Sequence, residues 1–211
     1  MNTIPENIAC IRTLCGNKTT LVAVSKQQPD ERIVAALQAG QRVFGENRVQ
    51  EALTRWAAQR EQYPDLALHL IGPLQTNKVR DAVALFDVIE TVDRPDLVEA
   101  LQKECEKQDK WPQLFIQVNT GDEAQKSGVS VNGLDSLIDH AKKRGLDISG
   151  LMCIPPVDAP PALHFALLKK LAEQHDLKCL SMGMSGDFEK AIALGATHVR
   201  IGTGIFGARG N

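Results

Sequence analysis

Short apolar runs recur along this chain, separated by longer stretches in which apolar residues fall three and four positions apart. Runs of the first kind suit strands buried on both faces, and the second spacing is that of amphipathic helices. The clearest run is LVAVSK, Leu21 to Lys26, which is too short for a helix and ends in a lysine followed by Gln27, Gln28 and Pro29. Further strands are predicted to start near Arg42, Ala67, Val88, Gln113, Ile148, Lys178 and His198, giving eight in all, each but the last followed by a helix. Ahead of the first strand, Ile4, Ile8, Ile11 and Leu14 mark a lead-in helix within residues 1–16. Pro29 and Asp30 open the next helix and Gly40 closes it; Gly45 permits a tight turn, and Glu46 and Asn47 start a helix running to about Gln59.

Eight strands in strict alternation with helices indicate a parallel α/β barrel, with the open doubly wound sheet as its competitor. A dinucleotide-binding sheet carries GxGxxG after its first strand, whereas SKQQPD stands here, which disfavours NAD. The expectation is a single (β/α)8 TIM barrel domain spanning 1–211 with an extra N-terminal helix. A length of 211 residues and 43% hydrophobic residues are enough for one such core.

Charge narrows the function classes. A formal charge of -2 and no basic run disfavour nucleic acid, and no apolar stretch is long enough to span a membrane. The N-terminus lacks the basic start and apolar core of a secretion signal, so a cytoplasmic location is expected. The five cysteines, Cys10, Cys15, Cys105, Cys153 and Cys179, are scattered without a CxxC pair, which disfavours disulfides and a zinc site.

In such a barrel the C-terminal strand ends share one mouth. These ends hold Lys26, Asn47, Gly72, Asn119, Met152, Ser185 and the segment Arg200 to Thr203. A lysine leaving an apolar strand loses hydration, which favours the neutral amine that forms Schiff bases; read alone, the stretch favours a lysine that merely caps its strand in solvent. SMGMSGD places Ser185 between Gly183 and Gly186 at a strand-to-helix turn, and RIGTG offers Thr203 between Gly202 and Gly204. Such loops after the last two strands commonly bind phosphate, though each separately is ordinary turn chemistry. Taken with Lys26, they point to a phosphorylated aldehyde.

Seven ordered motifs, LVAVSK, FGENRVQE, HLIGPLQTNK, GDEAQKSGV, GLMCIPP, LSMGMSGDFEKAI and VRIGTGIFGAR, closely resemble the pyridoxal phosphate homeostasis proteins from about residue 5 to the C-terminus. The resemblance implies a barrel like the N-terminal domain of bacterial alanine racemase, with pyridoxal 5′-phosphate (PLP) held as an aldimine on Lys26. It also implies phosphate contacts from Ser185, Gly202 and Thr203, places Arg200 near the pyridine nitrogen, and sets Asn47 and Met184 beside the ring. PPVDAPPALH, Pro155 to His164, is shorter than the corresponding loop of many members and lies away from the phosphate loops, so it bears on partners. Lys126 is solvated or a second contact for PLP, and His69 packs into its strand and satisfies a neighbouring carbonyl.

A catalytic PLP site holds the pyridinium protonated with a carboxylate. An arginine there cannot take that proton. Racemases that use arginine need a second acid/base, a tyrosine from a further domain in alanine racemase; this chain is expected to lack that domain, and its one tyrosine, Tyr63, lies in a polar segment. The resemblance therefore implies a monomeric carrier and buffer of PLP whose recipients are PLP-dependent apo-enzymes. A weak amino-acid racemase and a barrel used as an interaction scaffold are the competing readings.

Overall fold

The computed structural model describes residues 3–207; residues 1, 2 and 208–211, including the last two of the VRIGTGIFGAR motif, lie outside the described residues. The strands are β1 (Thr20–Val24), β2 (Val43–Glu46), β3 (Ala67–Leu70), β4 (Val88–Val92), β5 (Gln113–Asn119), β6 (Val129–Ser130), β7 (Ile148–Met152), β8 (Cys179–Ser181) and β9 (His198–Ile201). The helices are α1 (Ile4–Cys15), α2 (Asp30–Gln38), α3 (Val49–Gln62), α4 (Val79–Leu85), α5 (Pro95–Gln108), α6 (Leu134–Lys143), α7 (Pro161–Gln174), α8 (Phe188–Ala193) and α9 (Thr203–Phe206).

Every strand pairing is parallel, in the order β4-β3-β2-β1-β9-β8-β7-β5, and β4 pairs with β5 to close the ring. The closed ring excludes the doubly wound sheet: this is the TIM barrel. β6 is a short addition on β5, outside the ring and unforeseen in the sequence. Burial on both faces explains why the strands read as unbroken apolar runs: β4 is buried at every position and β1 at all but its first.

The lead-in helix begins with a capping box between Thr3 and Glu6 and buries Ile8, Ile11 and Cys15. Leu14, expected inward, is 45% exposed, because the buried stripe continues to Cys15 instead. Gly40 has φ +79 just beyond α2, as its helix-ending role requires. Gly45 is not in a turn. It lies within β2, where a Cβ would come within 3.0 Å of Val22 Cγ1 and Ile71 Cδ1, so glycine is there to leave room. Glu46, expected to begin a helix, ends β2 fully buried, and α3 starts at Val49. The last strand is followed by a helix after all, the one-turn α9.

Candidate functional site

Lys26, Asn47, Met184, Ser185, Arg200, Gly202 and Thr203 all line one cavity of about 280 Å³ at the C-terminal mouth. Val24, Ile71 and Ile154 supply apolar wall, and Gly186 completes the lining on the Ser185 side. A larger recess of about 850 Å³ lies on the same face and shares Asn47 with the cavity, but it holds none of the other six residues. Ile154, immediately before the short loop at Pro155, lines the cavity, so that loop begins closer to the site than its sequence position suggests.

Lys26 stands half-buried two residues beyond the end of β1. The chain turns at once: Gln28 N–H donates to Ser25 O at 3.1 Å, and Gln27 takes φ +59. The hydroxyl of Ser25 donates to the buried carboxylate of Glu46 at 2.8 Å. The lysine is thus presented by a turn tied to the neighbouring strand.

On the opposite wall, β8 ends at Ser181, so Ser185 lies in the following loop and not at the strand end expected from sequence. Gly183 has φ +93, and a Cβ there would sit 2.6 Å from Ala191 Cβ, so the fold itself requires this glycine. Met184 N–H donates to Asp187 Oδ1 at 2.6 Å, closing the turn. Ser185 Oγ accepts from Gly204 N–H at 3.1 Å, joining the two loops and leaving the hydroxyl proton to point elsewhere. Gly186 and Gly202 differ from Gly183: neither has positive φ, and a Cβ would meet nothing within 4 Å at Gly186 and nothing nearer than 3.5 Å at Gly202. The protein's own packing needs neither glycine; what they keep clear is the cavity.

Arg200 forms the floor. It is 4% exposed, its Nη1 donates to Ser181 Oγ at 2.7 Å and its Nη2 to Cys153 O at 2.8 Å. Ser181 in turn donates to Glu90 Oε2, and Glu90 Oε1 bonds His69 Nδ1 at 2.7 Å. The chain β9–β8–β4–β3 therefore crosses the barrel interior as one connected polar line. Burial pushes the Glu90 carboxyl up, but the His69 hydrogen bond, His69 and Arg200 charge and the Ser181 bond outweigh it, so its pKa lies below the ordinary value and it is ionised. Its charge compensates Arg200, with N···O 4.0 Å. Beneath this line, His198 stacks edge-on to Phe115 and tilted to His69.

Sequence reasoning missed Glu90, Glu46 and Ser181. The signal for the first two was present: each is the one carboxylate of a short apolar strand, VIETV and VFGE, and a buried charge needs a partner. His69 is buried as expected, though it bonds a carboxylate and not a carbonyl. Lys126 pairs with Glu123 at 2.6 Å and reaches Pro155 O at 3.4 Å, without lining the cavity. Asn119 and Met152 close strand ends of the mouth but are not in the cavity wall. Tyr63 follows α3 and packs under Arg42 just before β2, at the N-terminal end of the barrel, away from Lys26.

The family described as the alanine racemase N-terminal domain matches residues 1–210 of this parallel barrel. The chain is 41% identical to the pyridoxal phosphate homeostasis protein of Vibrio alginolyticus, covering 99% of both, and 42% identical to that of Vibrio cholerae, covering 98% of this chain and 93% of that one. It is 37% identical to PipY of Synechococcus elongatus, whose structure was solved with PLP bound, with a TM-score of 0.88 over 97% of this chain and 100% of that one. This chain belongs to the pyridoxal phosphate homeostasis protein family.

Proposed function

We propose that this protein binds PLP in the Lys26 cavity and serves PLP homeostasis as a carrier and buffer, without turnover of its own. The observation that carries this reading is the meeting of an amine, an arginine and two hydroxyls around one cavity of about 280 Å³. The residues fit the cofactor. Lys26 Nζ would condense with the aldehyde as a Schiff base, releasing one water. Ser185 and Thr203 would donate to the phosphate, Gly186 and Gly202 keep its space clear, and Asn47 and Met184 flank the ring. The PLP-bound PipY structure and the relatives named for PLP homeostasis support the assignment.

When bound, PLP supplies an electron sink for amino-acid chemistry. The chain's own groups do little to exploit it. Arg200 keeps its proton and cannot take one from the pyridine nitrogen. No carboxylate, histidine or tyrosine lines the cavity among the described residues, so a second acid/base beside Lys26 is missing from its wall. We further propose that it acts as a single-domain monomer in the cytoplasm and gives its cargo to PLP-dependent apo-enzymes. All five cysteines are free thiols, in keeping with a reducing compartment.

Mass spectrometry of the borohydride-reduced protein loaded with PLP tests the reading. The expected result is one phosphopyridoxyl group on the peptide carrying Lys26; labelling confined to another lysine would overturn the site. Racemisation of an amino acid at an ordinary enzyme rate, about 1 per second or more, would replace the carrier with the racemase.

A further inference from the structure

The turn that presents Lys26 is held from outside the cavity by Arg55. This residue of α3 donates from Nη1 to Ser25 O at 3.0 Å and from Nη2 to Gln28 O at 3.1 Å, the two carbonyls that bracket Lys26 and Gln27. The guanidinium is itself fixed: Nη1 lies 3.2 Å from Glu46 Oε1, and Nε lies 3.5 Å from Asp30 Oδ1. Glu46 Oε1 also accepts from Trp56 Nε1 at 3.0 Å, so the clamp rests on a fully buried carboxylate and a fully buried indole. Gln28, 5% exposed, accepts through its side chain from Arg32 at 3.2 Å. Inside this frame Gln27 adopts the left-handed conformation at the third position of the turn, where glycine or asparagine is favoured. A non-glycine residue persists in that conformation only where its surroundings over-determine it.

We propose that Arg55 is a positioning residue for Lys26: it locks the Ser25–Gln28 turn so that the lysine amine is aimed into the cavity, and Glu46 holds Arg55 to that task. This rests on Lys26 being the lysine that bonds the PLP aldehyde. Arg55 does not line the cavity. Its effect is therefore confined to the covalent step, in which the amine adds to the aldehyde carbon and one water leaves. A ligand with the same ring and phosphate but no aldehyde should not feel it.

The test measures affinities of the intact protein for PLP and for pyridoxine 5′-phosphate, which carries an alcohol in place of the aldehyde. In Arg55→Lys the charge opposite Glu46 remains, but a single ammonium cannot span both carbonyls as the planar fork does. PLP affinity should fall roughly 3- to 10-fold, about what loss of one net hydrogen bond gives. Pyridoxine 5′-phosphate should bind as it does to the unmodified protein. Gln27→Gly suits the left-handed position and leaves the Arg55 clamp intact, so it should keep both affinities. In Arg55→Lys, equal losses for both ligands, or none for PLP, would overturn the proposal. A distinct failure is an unmodified protein that binds the two ligands alike, or that keeps its preference for PLP after Lys26→Ala; that outcome removes the Schiff base on Lys26 itself.

Discussion

Ser185 does two things with one oxygen. It accepts Gly204 N–H, which joins the loops after β8 and β9, and it leaves a proton to donate to an anion between them. A hydrogen bond to a charged phosphate contributes about 1.5 to 3 kcal/mol. Ser185→Ala should therefore weaken PLP roughly 10- to 150-fold. Pyridoxal, with no phosphate, should bind the variant almost as well as the unmodified protein; titrating both ligands against both proteins checks this. A parallel loss for pyridoxal would assign Ser185 to the loop junction alone.

Glycines along the strands and loops divide by what a methyl group would strike. At Gly72 a Cβ would sit 2.3 Å from Asn47 O and 2.8 Å from Asn47 Cα, contacts with backbone that no rotamer relieves. Gly72→Ala should force the β2–α3 connection away, cost about 1 to 3 kcal/mol as overpacking does, and shift Asn47 from the cavity; urea unfolding together with PLP titration reads both effects. The same connection shows where the sequence was readable and where it was not. Strand starts at Ala67, Val88, Gln113, Ile148 and His198 agree with the structure to the residue, since a strand buried on both faces announces itself as an apolar run. Glu46 and Asn47 looked like a helix start because polar residues after an apolar run commonly cap helices. Here Ser25, Arg55 and Trp56 all claim the Glu46 carboxylate from inside, so the strand runs on and the helix begins without a side-chain cap. Such a demand comes from residues distant in sequence, and no local pattern carries it. Counting strand ends put Lys26, Asn47, Ser185, Arg200, Gly202 and Thr203 on the mouth together with Gly72, Asn119 and Met152, which do not line the cavity, while Met184 was legible only through the family resemblance. The line from Arg200 to His69 was not legible, because its middle link, Ser181 to Glu90, joins β8 to β4, far apart in sequence.

Across the barrel, the same interior makes the molecule sensitive to acid. His198 is pushed down to about 4, by burial first and then by the charges of His69 and Arg200, against the opposing pull of Glu90. Between pH 6.5 and 4 the unfolded chain binds a proton there that the folded chain refuses, so stability rises with pH through this window and is lost as pH falls. The loss from this one group is on the order of 2 to 3 kcal/mol by pH 4.5. Urea midpoints at pH 7 and pH 4.5 should differ less in His198→Gln than in the unmodified protein; an identical pH dependence would remove His198 as the cause. Glu90, with its pKa held low, adds stability above its unfolded value that is lost in stronger acid, in the same direction. At the other end of the barrel, Met184 is 40% exposed and Thr203 stands in solvent, so the loops proposed to hold the phosphate lie at the rim while Arg200 lies beneath them. Lys26 is itself half-buried at this mouth, so the Schiff base proposed for it would stand within reach of amines from solvent. The residence time of the cofactor would then shorten as free amines accumulate, and the barrel would release its load fastest when acceptors for it are most abundant.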